Sequence, residues 1–173
     1  VDTCEIYPVR SVLAYVGIGS NLGNPMVQVS EALAALAILP QTRCVIQSPW
    51  YRSEPLGPPG QPYYINAVAG LETSLAPLVL LSALQAIENT HGRQRTLRWG
   101  ARTLDLDMLL YGDLVQDDPH LTIPHPRLHE RAFVLYPLLD IAPDLRIPGL
   151  GDLETLVRLC PPLGLERLEE ASC

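Results

Sequence analysis

Apolar and polar positions divide the chain into alternating strand-like and helix-like segments. Val12 to Ile18 is rich in β-branched residues and ends at Gly19, which predicts a strand. After a polar turn, Asn24 and Pro25 supply an N-cap and a first helical residue, and Met26, Val29, Leu33 and Leu36 then recur at helical spacing. Arg43 to Arg52 predicts a strand, Glu54 to Pro62 a long proline- and glycine-rich loop, and Tyr64 to Glu72 another strand. Ser74 is placed to cap a helix running to about Thr90, with Gly92 just past its end, and Thr103 to Tyr111 predicts a further strand. The order β-α-β-β-α-β is the split βαβ, or ferredoxin-like, motif: an α+β fold whose sheet contains antiparallel pairs and carries its helices on one face. Beyond this core, Leu121 to Pro124 is expected to extend the sheet, Arg131 to Ile141 to form a short helix interrupted at Pro137, and Asp152 to cap a helix to Leu159. Residues 1–11 read as an N-terminal extension, 12–160 as one domain and 161–173 as a C-terminal tail.

Composition narrows the class. A chain of 173 residues with 47% apolar and 18% charged residues suits a single globular domain. Its apolar runs, such as Leu78 to Leu81, fall well short of the roughly 20 residues of a membrane span. The first ten residues lack the pattern of a secretion signal, so the cytoplasm is the expected compartment. Cys4, Cys44, Cys160 and Cys173 are far apart and form no CxxC pair, which leaves neither a zinc site nor a redox motif in view. A formal charge of −7 argues against a broad nucleic-acid surface, so any anion site is local. All 12 cationic side chains are arginine, which excludes a Walker-type loop with its required lysine.

The segment Arg93 to Asp107 carries the chemistry. Period-two geometry puts Asp105 and Asp107 on one strand face and Leu104, Leu106 and Met108 on the other. The two aspartate Cα atoms then lie roughly 6 to 7 Å apart. Their carboxylates can converge on a pair of ions about 3.5–4 Å apart, the spacing at which two metals clamp an in-line displacement. A solvated outer face is the plain alternative, but aspartate disfavours strands and two side by side repel unless a cation intervenes. Upstream, Arg93, Arg95, Arg98 and Arg102 occur with no acidic residue between Asn89 and Leu104. Arginine holds phosphate through a planar fork of donors. Cations beside carboxylates suit a metal-bound polyphosphate better than a bare metal.

Other candidates are weaker. Gln85 and Glu88 share a helix face and read as surface residues beside the buried stripe of Leu81, Leu84 and Ile87. His125 and His129, with His120 nearby, suggest zinc, but Pro124 and Pro126 flank His125 and no cysteine or carboxylate is in register; phosphate or base contact suits His125 better. Gly17, Gly19 and Gly23 follow GxGxxxG, one residue too long for a dinucleotide loop, and are expected to make a turn that brings backbone close to the sheet or a ligand.

Several strings together resemble one family: Gly19-Ser20-Asn21-Leu22-Gly23, Tyr51-Arg52-Ser53 with Leu56-Gly57-Pro58, Tyr64-Ile65-Asn66-Ala67, Arg98-Trp99-Gly100, Arg102 to Asp107, and Ile123-Pro124-His125-Pro126. From about Ala14 to Pro148 the chain resembles 6-hydroxymethyl-7,8-dihydropterin pyrophosphokinase of folate biosynthesis. The resemblance implies a ferredoxin-like enzyme, its one pyrophosphokinase domain spanning 12–160, that transfers the terminal pyrophosphoryl unit of ATP to a reduced hydroxymethylpterin and releases AMP. It implies two Mg2+ ions on Asp105 and Asp107, with Arg93 and Arg102 meeting the charge of transfer and Arg95 acting from a loop. Gln85, Glu88, Arg98, Trp99, Met108, Thr122, His125 and Arg131 would line the ATP site. The pterin would lie between Tyr64 and Phe133, read by Asn66 and by the chain near Ser53, Glu54 and Leu56. Glu54 stands where the family usually has proline, and Pro126 where it often has tyrosine. The expected partners are ATP and the pterin, with no nucleic acid and no membrane, and the expected state is a monomer. Two other readings fit the same charges: a small-molecule kinase moving one phosphoryl group, and a nucleotide-sensing module without chemistry.

Overall fold

Helix starts and strand breaks in this chain follow from a few side chains. The computed structural model describes residues 10–92 and 103–169. Strand β1, Val12–Ser20, leads to helix α1, Pro25–Ala37, where Asn24 Oδ1 accepts from the Val27 N–H and Pro25 occupies the first turn. Strand β2, Thr42–Gln47, and strand β3, Tyr51–Ser53, replace the single strand expected over Arg43 to Arg52. The break falls at Ser48-Pro49: Pro49 has no N–H for a ladder, and Ser48 ties itself instead to Val68, donating its N–H to the Val68 carbonyl and accepting the Val68 N–H on Oγ. Strand β4, Tyr64–Thr73, is followed by helix α2, Pro77–Thr90. Ser74 does not cap α2. Its hydroxyl is engaged with Gln41, and the helix starts at Pro77, whose fixed φ suits a first turn.

Strand β5, Asp105–Tyr111, forms one edge of the main sheet, whose order, with the last strand β10 at Leu165–Arg167, is β10-β3-β4-β1-β5 with β2 also on β4. All pairs are antiparallel. β3 pairs with the first half of β4 and β2 with the second, so two short strands in series serve one long one. β1 and β2 consequently run parallel with β4 inserted between them. Leu121 to Pro124 does not extend this sheet: β7, Thr122–Ile123, pairs with β6, Gln116–Asp117, as a separate ribbon.

The helices do not all share one face. Ala14, Val16, Ile18, Leu104, Leu106 and Met108 pack against α1 and α2. On the opposite face, Tyr15, Val68 and Leu109 pack against helices α3, Ala132–Ile141, and α4, Leu153–Leu159. α3 runs through Pro137 without interruption, with Pro137 buried on its sheet side. Asp152 stands at the N-cap of α4, although its side chain makes no capping bond, and ends the two-residue strand β9, Gly151–Asp152, which pairs with β8, Arg146–Ile147. The last strand, β10, Leu165–Arg167, adds to β3. No helix among the described residues is long and apolar enough to cross a membrane.

Candidate active site

Partners facing each other across an antiparallel sheet share a face. Asp105 faces Gly19, Gly19 faces Asn66 and Asn66 faces Tyr51; one step along, Asp107 faces Gly17. The row therefore runs from carboxylate to amide with glycines between them. Gly17 and Gly19 lie inside β1, not in a turn, and their lack of side chains leaves a hollow over the sheet. A Cβ at Gly19 would sit 3.3 Å from Asn66 Oδ1, and one at Gly17 would sit 3.4 Å from Leu109 Cδ2. The hollow is a cavity of about 310 Å³, at the lower end of the sizes that hold small molecules.

Two chemically different ends meet in this cavity. At the amide end, buried Asn66 donates from Nδ2 to buried Ser53 Oγ at 2.8 Å, which fixes the amide so that Oδ1 faces Gly19. Tyr64, Glu54, Leu56 and Phe133 also line the cavity, bringing an aromatic from β4 and another from α3. At the carboxylate end, Arg131, the N-cap of α3, donates from Nη1 to Asp107 Oδ2 at 3.0 Å and stacks over the Phe133 ring at 5.7 Å. His125 Nε2 lies 3.8 Å from the same Asp107 oxygen.

The histidine is held from both sides. Its backbone N–H donates to the Leu109 carbonyl at 2.9 Å, and its Nδ1 accepts the Arg127 N–H at 3.1 Å. With Nδ1 an acceptor, the proton of the neutral ring resides on Nε2, aimed at the acidic pair. Burial pushes the His125 pKa below its ordinary value; Asp107 opposes that shift and Arg131 reinforces it. Burial thus favours the neutral ring, which presents Nε2 toward the acidic pair.

Asp105 and Asp107 are hard oxygen donors, and among the described residues they converge with no third His, Cys, Asp or Glu as a metal cluster. That set suits Mg2+, which keeps several waters and takes one or two carboxylates plus substrate phosphates rather than an all-protein cage. It does not suit structural zinc, which takes four protein ligands. The three histidines considered for zinc also part company: His120 Nδ1 lies 3.1 Å from Asp118, His129 Nε2 lies 3.7 Å from Glu130, and only His125 enters the cavity.

Not every residue expected at the site is in the cavity. Met108 is 2% exposed and packs under the sheet with Leu104 and Leu106, because period two turns it away from the aspartate face. Gln85 is exposed on α2, and Thr122 lies on the β6–β7 ribbon; neither lines the cavity. Arg93, Arg95, Arg98, Trp99 and Arg102 lie outside the described residues. Ile18, Ala67 and Val134 line the cavity without having been expected there, as do Gly17 and Gly19.

Glu88 is not a surface residue. It is 1% exposed, and its Oε1 accepts the Leu106 N–H at 2.7 Å. Leu106 lies between the two aspartates on the edge strand, so a carboxylate from α2 satisfies the backbone donor that no neighbouring strand reaches. Glu88→Ala leaves that donor buried and unpaired. The expected loss is about 1–3 kcal/mol of unfolding free energy, read from urea melts, with Glu88→Gln losing less because it keeps an acceptor. Equal stability of the alanine variant and the parent would refute this role.

A family model described as 7,8-dihydro-6-hydroxymethylpterin-pyrophosphokinase (HPPK) matches residues 15–143. The chain is 56% identical over 157 residues to 2-amino-4-hydroxy-6-hydroxymethyldihydropteridine pyrophosphokinase of Pseudomonas aeruginosa, covering 91% of this chain and 97% of that one. It is 50% identical over 147 residues to the protein of the same name from Haemophilus influenzae, covering 85% and 92% respectively. Among solved structures, wild-type HPPK-DHPS of Plasmodium falciparum bound to pteroate shares the fold with a TM-score of 0.67 at 14% identity, over 86% of this chain and 42% of that one. The chain belongs to the 7,8-dihydro-6-hydroxymethylpterin-pyrophosphokinase family.

Proposed function

We propose that this protein transfers the pyrophosphoryl group of ATP to the hydroxymethyl oxygen of 6-hydroxymethyl-7,8-dihydropterin, giving AMP and the pterin diphosphate in folate biosynthesis. The observation that carries the reading is the meeting, in one cavity, of the Asp105–Asp107 pair with the slot formed by Asn66, Tyr64 and Phe133. A flat conjugated ring suits a slot between two aromatics, where stacking contributes about 0.5–1.5 kcal/mol beyond burial. An amide such as Asn66 can both donate to and accept from the ring edge, with Ser53 fixing its orientation. A pterin seated there would direct its hydroxymethyl group along the glycine floor toward the carboxylates.

The antiparallel order with β4 inserted between parallel β1 and β2 supports a ferredoxin-like core, to which β3, β10 and the second helical layer are additions. Asp105 and Asp107 would hold two Mg2+ ions, which when bound neutralise phosphate oxygens and align the transferred group. Arg131, 3.0 Å from Asp107, would exchange that contact for a phosphate oxygen. His125 would donate from Nε2 to the nucleotide, and Arg93, Arg95, Arg98 and Arg102 would supply the remaining cationic contacts. Catalysis on this reading is positioning and charge stabilisation, with no dedicated general base.

Incubation with ATP, Mg2+ and the reduced hydroxymethylpterin, followed by nucleotide chromatography, tests the proposal. AMP is expected in step with pterin consumption. ADP would instead indicate an ordinary kinase, and an unchanged nucleotide pool would favour a sensing module.

A further inference from the structure

The match to the family model stops at residue 143, yet the chain after it adds a strand to the edge that carries one wall of the cavity. β10 pairs with β3 in the register Leu165 to Ser53, Glu166 to Arg52 and Arg167 to Tyr51. Backbone bonds extend the pairing at both ends: Glu54 N–H donates to the Gly164 carbonyl at 3.2 Å, and Leu168 N–H donates to the Trp50 carbonyl at 2.8 Å. β3 is three residues long, and Ser53 and Glu54, at its end, line the amide end of the cavity. A strand that short contributes little order of its own, so the position of Ser53 and Glu54 depends on what flanks it.

Side chains join this edge to the opposite wall. Tyr51, 6% exposed, donates its hydroxyl to Asp140 Oδ2 at 2.5 Å, while Arg167 Nη1 lies 3.5 Å from Asp140 Oδ1. Burial, followed by the bond to Asp140, raises the tyrosine pKa, so the hydroxyl stays a donor across the physiological range. Asp140 belongs to α3, the helix that carries Phe133. One carboxylate therefore receives a group from β3 and another from β10, and ties both to the helix across the slot. Gly164 completes the contact. Its φ is +67°, and a Cβ there would lie 2.9 Å from Glu54 Cδ, so a larger residue would strain the backbone at 164 and push the Glu54 side chain aside.

We propose that residues 161–168 form a strap that sets the width of the acceptor slot, with Tyr51, Asp140 and Arg167 as positioning residues. The inference rests on the functional reading above. The strap pairs with Ser53 and Glu54, which line the cavity beside Asn66, so its loss acts on the acceptor rather than on ATP.

Two full-length variants test it: Gly164→Val, which pushes on Glu54, and Tyr51→Phe combined with Arg167→Ala, which cuts both ties to Asp140. Steady-state rates are measured against each substrate separately. The expected result is a KM for the reduced pterin raised about fivefold or more, with the KM for ATP and kcat within about twofold of the parent. Unchanged acceptor KM in both variants would overturn the proposal. So would a parallel rise in both KM values with a lowered melting temperature, the mark of a merely structural edge. If Gly164→Val fails to fold, the double variant decides alone. A parent protein that makes no AMP would instead refute the functional reading, so the two failures are distinguishable.

Discussion

Asp105→Asn and Asp107→Asn each reduce magnesium-dependent turnover by about 10³-fold or more, the scale on which a lost electrostatic stabiliser is felt in a water-poor site. Asparagine keeps the shape of the side chain and removes only its charge, so the strand and its apolar underside are undisturbed. Asp107→Asn is also expected to lose stability relative to the parent. Asp107 receives Arg131 at 3.0 Å, and the Arg131 side chain is only 12% exposed. Neutralising Asp107 leaves that guanidinium largely buried without its counter-charge, at a cost on the order of 1–3 kcal/mol after allowance for the partial exposure of the carboxylate. Initial rates at saturating ATP and Mg2+, paired with urea melts, check both statements. Retention of turnover in both variants would remove the aspartate pair from the chemistry, and an Asp107→Asn melt equal to the parent's would remove Arg131 as a dependent of Asp107.

Much of this site was readable in the sequence because strand geometry is strict. With period two, Asp105 and Asp107 had to share a face opposite Leu104, Leu106 and Met108, and burial divides them in that way. The same rule applied to Gly17 and Gly19 would have found the cavity floor, but reading them as a turn hid it. Glu88 carried an unused signal too. It follows Leu80, Leu84 and Ile87 at helical spacing on the buried stripe of α2, so its charge stands at a core position and requires a partner, which the Leu106 N–H provides. The split of Arg43 to Arg52 turned on one proline whose effect depends on which β4 residue lies opposite, a tertiary fact. The second helical layer and β10 were less accessible still. A strand of three residues has no periodicity to read, and which sheet face receives a helix depends on where earlier elements have left apolar surface. Arg93, Arg95, Arg98 and Arg102 were singled out by charge alone, and they lie outside the described residues.

The second large effect concerns the acceptor. Asn66→Leu replaces the amide with an apolar side chain of similar branched shape in the middle of the sheet. It removes the donor to Ser53 Oγ and the acceptor turned toward Gly19 together. A site built to hydrogen-bond a ligand discriminates steeply against loss of the match, because the ligand's own polar edge is then buried unpaired. The KM for the reduced pterin is expected to rise about 10²-fold or more, while the KM for ATP stays within about twofold. Gly19→Ala bears on the same amide without removing it, since its Cβ would press on Asn66 Oδ1 from 3.3 Å. The physical ordering is therefore Asn66→Leu well above Gly19→Ala, with both acting on the acceptor. Equal loss of affinity for ATP in either variant would mean that Asn66 serves the whole cavity and that the division into an amide end and a carboxylate end is wrong.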